Sequence, residues 1–350
     1  GFAVSLQDFD GDTVILSIGD EVQAGAWPSR PVGNGSCSRI MTGAPIPEGT
    51  EAVVPVEWCH SDGGVGETVT ITRRPNPGQH VRKRGSDIAA GTLALKAPAS
   101  IEPRTIGVLA SLGHGQVTVA VRPTISIVAT GDELIEASDT LKDGQIRNSN
   151  GPTLAAMASA SGALVVAERV ARDSADHTRQ VLQEALKADI VVISGGVSVG
   201  SYDYVKTVLD EMGIERRFWR VRQRPGKPLT FGKIGDHLVF GLPGNPVSTA
   251  VCFRQYVLPA IRKTLGLPPG PQFLSAQLTE TVQKVSNLHF FIPGRVRVDD
   301  EGRLTVARSG AFGSHIFSSL AAANCLISLP EGSETIGAGS IVEVELFNDL

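Results

Sequence analysis

One loop of the sequence has residue types that suit the binding of a phosphate group. Residues 194–200 read Ser-Gly-Gly-Val-Ser-Val-Gly and directly follow an apolar run that ends at Ile193. Glycines let the backbone approach a phosphate closely, and free N–H groups with the dipole of a following helix favour an anion. A turn without a ligand is the alternative. The predicted phosphate site comprises Ser194, Gly195, Gly196, Ser198 and Gly200.

Three carboxylates also follow predicted structural elements. Glu133 comes just after an apolar run, Asp173 follows a predicted strand, and Asp203 opens the helix after the glycine loop. Because open α/β sheets bind ligands at the carboxyl ends of their strands, we expect all three on one rim. Carboxylates beside a phosphate commonly hold Mg²⁺, for which Glu133 and Asp203 are the candidate ligands, and an acid–base role for the rim is also open. The alternatives are helix caps for Asp173 and Asp203, and a solvated side chain for Glu133.

A basic segment lies downstream of the glycine loop. The turn Arg-Pro-Gly-Lys-Pro carries Arg224 and Lys227 between prolines, and Arg220 lies four residues earlier. A stiff turn holds its charges at fixed positions, which suits a polyanionic ligand. A solvated charged face is the alternative, and it is favoured for Arg216 and Arg217.

A second turn rich in proline and glycine is predicted at the same rim. Residues 241–246 read Gly-Leu-Pro-Gly-Asn-Pro, after a predicted strand and before a predicted helix. Pro243 and Pro246 restrict the backbone, Pro246 suits a first helical turn, and Asn245 suits the cap position. The turn is either purely structural or part of the ligand site.

The elements that must position these residues alternate in type. Residues 125–129 and 189–193 are apolar runs typical of strands buried on both faces of a parallel sheet. Ser174 is the predicted cap of an amphipathic helix, and a similar apolar stripe precedes Gly213. Residues 123–266 are therefore predicted to form an open α/β sheet with helices on both faces.

The flanking regions have β character. Residues 1–86 are predicted to be β-rich, and residues 87–122 to be a connecting α+β segment with a helix over 100–113 and a strand over 116–121. Residues 272–350 follow a proline-containing linker. They contain a predicted hairpin, with strands over 295–298 and 303–306, and a last strand over 341–346.

Composition excludes several classes of function. The chain of 350 residues is long enough for several domains, and its net charge of −4 indicates no general affinity for nucleic acid or an anionic membrane. Its four cysteines have no zinc-site spacing, no apolar run approaches a membrane span, and no signal peptide is evident. We expect a cytoplasmic protein. The start at Gly1, without methionine, is interpreted as a cut from a longer chain.

Together these segments resemble the molybdopterin molybdenumtransferase family, to which the C-terminal domain of gephyrin belongs. The resemblance covers nearly the whole chain in the family's order. The matching stretches are residues 39–45, 84–88, 130–134, 194–200, 203–204, 224–228, 241–246 and 313–319.

The resemblance implies a fold, an assembly and a reaction. Members are homodimers with a central α/β domain, flanking β domains and a C-terminal β-barrel. Their reaction inserts molybdate into adenylylated molybdopterin, with Mg²⁺ as cofactor, and gives molybdenum cofactor and AMP. The adenylyltransferase that precedes this step is an implied partner.

The resemblance also implies roles for individual residues. Glu133, Asp173 and Asp203 would form an acidic Mg²⁺ site, and Lys227, Arg220 and Arg224 would face the phosphates and the pterin. The family commonly has lysine at the two arginine positions, so the charge is kept while the geometry of its hydrogen bonds changes. The remaining implied contacts are Thr42, Arg82 and Asp87 from the partner subunit, and Arg295 and Ser314 from the barrel.

Other functions stay open on the sequence alone. A molybdopterin adenylyltransferase shares the central α/β domain and a similar glycine loop, but it lacks β modules on both sides. A gephyrin-like scaffold would need an apolar groove for a partner peptide, and a paralogue selective for tungstate would carry the same motifs.

Overall fold

The computed structural model describes residues 1–60, 63–196 and 204–347. The predictions for Ser198, Gly200 and Asp203 therefore lie outside the described residues. The chain divides into two compact units, Gly1–Lys96 and Ala97–Leu350. No helix in the described part is long and apolar enough to cross a membrane.

The first unit is built on one six-stranded sheet with the order β4-β1-β3-β2-β6-β5. All neighbouring strands are antiparallel except β2 and β3. Its core contains Phe2, Leu16 and Ile71, so the predicted β-rich character is confirmed. The strands are β1 (Phe2–Val4), β2 (Val14–Val22), β3 (Ser36–Ile40), β4 (Ala52–Val54), β5 (Cys59–His60) and β6 (Thr68–Ile71).

The second unit contains the described α-helices and the remaining strands, whereas the described part of the first unit has only the short 3₁₀ helices Leu6–Asp8 and Val56–Trp58. The second unit begins with α1 (Pro103–Ser111), whose proline lies in the first turn as predicted. The elements that follow are β7 (Thr124–Thr130), β8 (Leu134–Ile135), β9 (Ile146–Arg147), α2 (Asn150–Ala160), β10 (Leu164–Ala171), α3 (Ala175–Ala185), β11 (Ile190–Ser194), α4 (Tyr204–Glu211), β12 (Glu215–Trp219), β13 (Gln223–Arg224), β14 (Thr230–Ile234), β15 (His237–Leu242), α5 (Pro246–Cys252), α6 (Leu258–Thr264), β16 (Phe273–Leu278), β17 (Val282–Gln283), β18 (His289–Val298), β19 (Leu304–Arg308), α7 (Phe317–Ala321), β20 (Cys325–Leu329), β21 (Thr335–Ile336) and β22 (Ile341–Leu346).

The central sheet of this unit has the order β10-β7-β11-β15-β14-β12. Its first four strands are parallel, and β14 and β12 add antiparallel pairs at one edge. Ile125 and Ile127 of β7 pack towards α2 and α5, whereas Val128 packs towards α3 and α4. The predicted open sheet with helices on both faces is confirmed.

Five strands after the central sheet close into a barrel. Pairing runs β18-β19-β16-β22-β20 and returns from β20 to β18, which leaves no free edge. The predicted hairpin is confirmed, because Val298 pairs with Leu304 and Arg295 pairs with Ala307 across β18 and β19. The core includes Phe290, Ile327 and Val344.

The strand predicted over residues 116–121 is wrong. This segment alternates valine with other residues, yet the described structure gives it no strand and pairs it with no neighbour. Val117, Val119 and Val121 are all exposed. A β-branched pattern becomes a strand only where an adjacent strand supplies hydrogen bonds, and this segment lies beside none in the described structure.

A buried ion pair joins the central domain to the barrel. The Arg254 guanidinium, in the π-helical turn Phe253–Val257 between α5 and α6, donates to the Glu345 carboxylate on β22. It also donates to the carbonyl of Leu346, while its Nη1 has no acceptor in the described part of the chain. Both side chains are almost completely buried. Loss of either partner would leave an unpaired charge in the interior.

We therefore expect Glu345→Ala to lower the free energy of unfolding by about 3–5 kcal/mol. Glu343→Ala is the matched control, since Glu343 lies on the same strand but is exposed, and surface substitutions of this kind change stability by about 0.5 kcal/mol or less. Urea denaturation followed by far-UV circular dichroism measures both. Equal losses for the two variants would contradict the role of the ion pair.

Candidate functional site

A cavity of about 690 Å³ lies at the carboxyl ends of the parallel strands. The ends of β7 and β11 and the turn after β15 all contribute to it, as the sequence predicted for an open α/β sheet. The predicted site residues that line it are Glu133, Asp173, Ser194, Gly195, Gly196, Asn245 and Pro246.

The glycine loop is packed too closely for larger residues. Gly195 and Gly196 have φ angles of +90° and +65°, a region that glycine adopts without steric cost. A Cβ atom on Gly195 would lie 2.6 Å from Oγ1 of Thr130, and one on Gly196 would lie 2.5 Å from Cγ2 of Val205. The backbone of the loop therefore packs directly against β7 and the start of α4, and it leaves no room for a side chain at Gly195 or Gly196.

Ser194 is buried, and its hydroxyl is occupied within the protein. Its Oγ accepts a hydrogen bond of 2.8 Å from Nδ2 of Asn150 and lies 3.5 Å from the carbonyl oxygen of Pro243. Asn150 was not among the predicted site residues. Its sequence signal, Asn-Ser-Asn before an apolar helical segment, looks like an ordinary helix start.

Backbone contacts hold the acidic rim in place. The N–H of Asp132 donates to the Asp173 carboxylate at 3.2 Å, and the N–H of Asp173 donates to the Asp132 carboxylate at 3.1 Å. Arg172 Nη1 donates to three carbonyl oxygens of residues 131, 132 and 134. Ser174, as predicted, caps α3, so Asp173 does not serve as that cap.

The described carboxylates do not form a closed metal site. Among residues 1–60, 63–196 and 204–347, no group of three or more His, Cys, Asp or Glu side chains is arranged to hold a metal ion. The exposed Glu133 side chain folds back over Gly131, whose φ is +142°. Glu133 and Asp173 thus leave two carboxylates on the cavity wall.

The basic turn lies between the central sheet and the barrel. Strand β13 pairs in parallel with β18, Gln223 with His289 and Arg224 with Phe290. A second cavity of about 250 Å³ follows the turn and is lined by Arg224, Lys227 and Ser314. Asn245 lines both cavities, so they adjoin each other.

Buried side chains contact the basic turn on its inner side. Gln223 donates to the carbonyl of Pro225 at 2.9 Å and accepts from the Tyr256 hydroxyl at 2.6 Å. Gly226 lies directly against the thiol of Cys252, where a Cβ atom would clash. Burial raises the pKa of Tyr256 to about 12 and also raises the pKa of the Cys252 thiol, so both stay protonated at neutral pH.

The arginines of the basic segment have different surroundings. The Arg224 guanidinium lies 5.7 Å and 5.6 Å from the ring centroids of Phe290 and Phe312. Arg220 has a φ of +67°, stacks 4.3 Å above the Trp219 ring and lines neither cavity. The other arginines of the segment pair with carboxylates, as expected for a solvated face: Arg216 with Asp210, Arg217 with Glu215 and Arg222 with Glu331.

Asn245 takes the predicted cap position before Pro246, the first residue of α5, although its side chain makes no capping hydrogen bond. Its Nδ2 instead donates to Oγ of Ser314 at 3.2 Å, and the N–H of Val247 donates to the Ser314 carbonyl at 3.0 Å. Because the amide bonds to the segment after β19, it ties the central domain to the barrel. The carbonyl of Pro243, another predicted site residue, accepts a hydrogen bond from the Thr249 hydroxyl. The predicted site residue Arg295 is exposed and lines neither cavity.

The first unit has a cavity of its own, of about 720 Å³. Thr42 and Arg82 line it together with His80 and Glu57. Asp87 is exposed and does not line it. The structure thus brings two of the three residues predicted for the partner subunit to one concave surface.

Three family models match the chain in sequence order. They are described as the MoeA N-terminal region (domains I and II), over residues 1–113, a probable molybdopterin binding domain, over 126–263, and the MoeA C-terminal region (domain IV), over 275–347. The three ranges together cover almost the whole chain.

Known proteins match over similar lengths. The chain is 36% identical to a molybdopterin molybdenumtransferase of Haemophilus influenzae, covering 100% of this chain and 86% of that protein. It is 35% identical to a molybdopterin molybdenumtransferase of Staphylococcus aureus, with coverages of 99% and 83%. A molybdopterin biosynthesis moeA structure from Pyrococcus horikoshii superposes with a TM-score of 0.82 at 27% identity, covering 99% of this chain and 86% of that one.

The packing of the glycine loop predicts a stability difference between two glycines. Gly196→Ala adds a clash to an unfavourable φ, and we expect it to lower the free energy of unfolding by about 2–4 kcal/mol. Gly213→Ala is the control, because Gly213 has a φ of +78° with no atom within 4 Å of the added Cβ, and strain alone costs about 1 kcal/mol. Denaturant unfolding of both variants measures the difference. Similar losses would contradict the close packing.

Proposed function

The chain belongs to the molybdopterin molybdenumtransferase family, and from this we propose that it inserts molybdate into adenylylated molybdopterin with release of AMP. The observation that carries the proposal is the pair of adjoining cavities. One combines a glycine loop with two carboxylates, and the other holds two cations on a rigid turn. Such a pair suits a ligand with a polyanionic centre and an anionic second substrate.

The pyrophosphate of the adenylylated pterin would lie against the glycine loop. Gly195 and Gly196 leave backbone surface open on the wall of the larger cavity, since neither carries a side chain. Ser198 and Gly200 would extend this surface by resemblance to the family. Ser194 would act differently, because its hydroxyl is already bonded to Asn150.

Arg224 and Lys227 would hold the anionic groups of the two substrates. Neither side chain has an ion pair within the described residues, and both line the smaller cavity. A guanidinium offers a planar set of donors, whereas an ammonium acts as a point charge. Arg224 thus supplies oriented donors and Lys227 attracts molybdate. Ser314 and Asn245 would border the same space and Pro246 the larger cavity, whereas Arg220 and Arg295 are assigned to the substrate by resemblance to the family alone.

The donor set fits Mg²⁺. This ion typically binds through one or two carboxylates together with substrate phosphates and water, and Glu133 and Asp173 supply two carboxylates on the cavity wall. Asp203 would add a third by resemblance to the family. When bound, Mg²⁺ would neutralise charge on the pyrophosphate. The reaction adds water across the P–O–P bond, so AMP leaves with one phosphate and the other stays on the pterin.

Three further features of the proposal come from the family resemblance. The enzyme would be a cytoplasmic homodimer, and it would receive its substrate from the preceding adenylyltransferase. Thr42, Arg82 and Asp87 would complete the site of the partner subunit. Thr42 and Arg82 suit this role because they line a cavity of the first unit.

The central test is AMP release from adenylylated molybdopterin, with molybdate and tungstate compared. We expect Lys227→Ala to lower kcat/KM about 100-fold, because it removes a charge that faces the reacting groups. Lys187→Ala is the control, since Lys187 is exposed, pairs with Glu184 and lines neither cavity. Conversion of ATP and molybdopterin to adenylyl-pterin, without AMP release, would instead indicate an adenylyltransferase.

The acidic rim predicts a dependence on Mg²⁺. Chelation by EDTA should stop AMP release and Mg²⁺ should restore it, and Asp173→Asn should raise the Mg²⁺ concentration for half-maximal rate about 10-fold. Asp176→Asn is the control because that side chain is almost fully exposed and pairs with Arg179. An Asp203→Ala variant that released AMP at the wild-type rate would refute the role given to Asp203.

A further inference from the structure

We propose that Asn150 is a positioning residue that clamps the two loops of the larger cavity together. The inference rests on the proposed function, since its effect on catalysis is an effect on AMP release. Asn150 is the first residue of α2 and lines the cavity, yet none of the sequence motifs includes it.

The amide of Asn150 is held in one orientation. Its Nδ2 donates to Oγ of Ser194 at 2.8 Å and to the carbonyl oxygen of Gly244 at 2.7 Å. A backbone carbonyl can only accept a hydrogen bond, so the atom beside Gly244 must be the nitrogen. Both amide hydrogens are therefore used, one for each loop.

The clamp lies just beyond the last backbone hydrogen bonds that join the glycine loop to the proline turn. The ladder between β11 and β15 ends with the pairing of Ser194 and Leu242, followed by a bond from the N–H of Gly195 to the Leu242 carbonyl. Beyond it the loops still touch, because a Cβ atom on Gly244 would lie 3.7 Å from Cα of Gly195. Apart from the long contact of 3.5 Å between the Ser194 hydroxyl and the Pro243 carbonyl, the polar link between them is Asn150, whose two bonds are shorter.

The start of α2 is itself anchored. The buried Asn148 accepts from the N–H of Gly151 at 2.9 Å, and its own N–H donates to the carbonyl of Ile135 at 2.9 Å. The N–H of Ile146 donates to the carbonyl of Glu133 at 2.9 Å. Asn150 thus holds the glycine loop and the proline turn from a helix that is also tied to the acidic rim.

A fixed position of the glycine loop relative to the acidic rim matters for the proposed reaction. The pyrophosphate would be held between the glycine loop and the acidic rim, and a displacement of about 1 Å can cost about 100-fold in rate. Asn150 needs no contact with the substrate to have this effect. It acts through Ser194 and Gly244, which sets it apart from a catalytic residue.

The clamp can be tested without substrate by amide hydrogen exchange. In Asn150→Ala and in the size-matched Asn150→Asp, which cannot donate to the Gly244 carbonyl, peptides over residues 190–196 and 241–246 should both exchange faster. Asn324→Ala is the control, since its amide makes two hydrogen bonds to Val296 in the barrel and lines neither cavity. It should leave both peptides unchanged. Unchanged exchange in both Asn150 variants would overturn the clamp.

The catalytic arm is a double-mutant cycle on AMP release. We expect Asn150→Ala to lower kcat/KM about 10- to 100-fold. Because Asn150 and Ser194 act through one hydrogen bond, the double variant should have a kcat/KM only slightly below that of the more impaired single variant. Asn324→Ala should show no coupling to Ser194→Ala. Fully additive losses of kcat/KM for the Asn150 and Ser194 variants would overturn the inference. If the wild-type enzyme released no AMP, the proposed function would be refuted, and the hydrogen-exchange result would decide whether the clamp exists.

Discussion

Parallel pairing of β7, β11 and β15 is the constraint on which the rest of the site depends. Each strand runs in the same direction, so the loops that follow them emerge at one edge. Residues from positions as distant as 133 and 245 in the chain therefore line one cavity. Helices on both faces bury the sheet and leave that edge as the open surface.

A second constraint brings positive charge to the same place. The short pairing of β13 with β18 attaches the basic turn to the barrel, and the bond between Asn245 and Ser314 attaches the barrel to the proline turn. The buried pair of Arg254 and Glu345 joins the same two domains. Buried ion pairs contribute little net stability, but they strongly disfavour arrangements that separate the partners. The central domain and the barrel, which both contribute to the smaller cavity, are thus joined by three separate contacts.

The predictions from sequence were most accurate where local pattern and tertiary structure agree. The apolar runs of β7 and β11, the Ser174 cap and the hairpin of β18 and β19 all formed within a few residues of the expected positions. The prediction of a strand over residues 116–121 was wrong because a strand also needs a neighbouring strand to pair with, and the sequence of the segment does not show whether one is present. Asn245 occupies the expected cap position of α5, but its side chain makes no capping bond and its Nδ2 donates to the Ser314 hydroxyl after β19.

By itself the sequence determined the class of the central sheet, the family, and the loop, carboxylates and cations from which a site would be made. These follow from residue types and their spacing, because both depend only on residues that are close together in the sequence. Only the tertiary structure decided that Ser194 is a buried partner of Asn150, that Arg220 stacks on Trp219 outside both cavities, and that Arg224 reaches the barrel. Those outcomes depend on contacts between segments far apart in the chain, and no local pattern encodes such contacts.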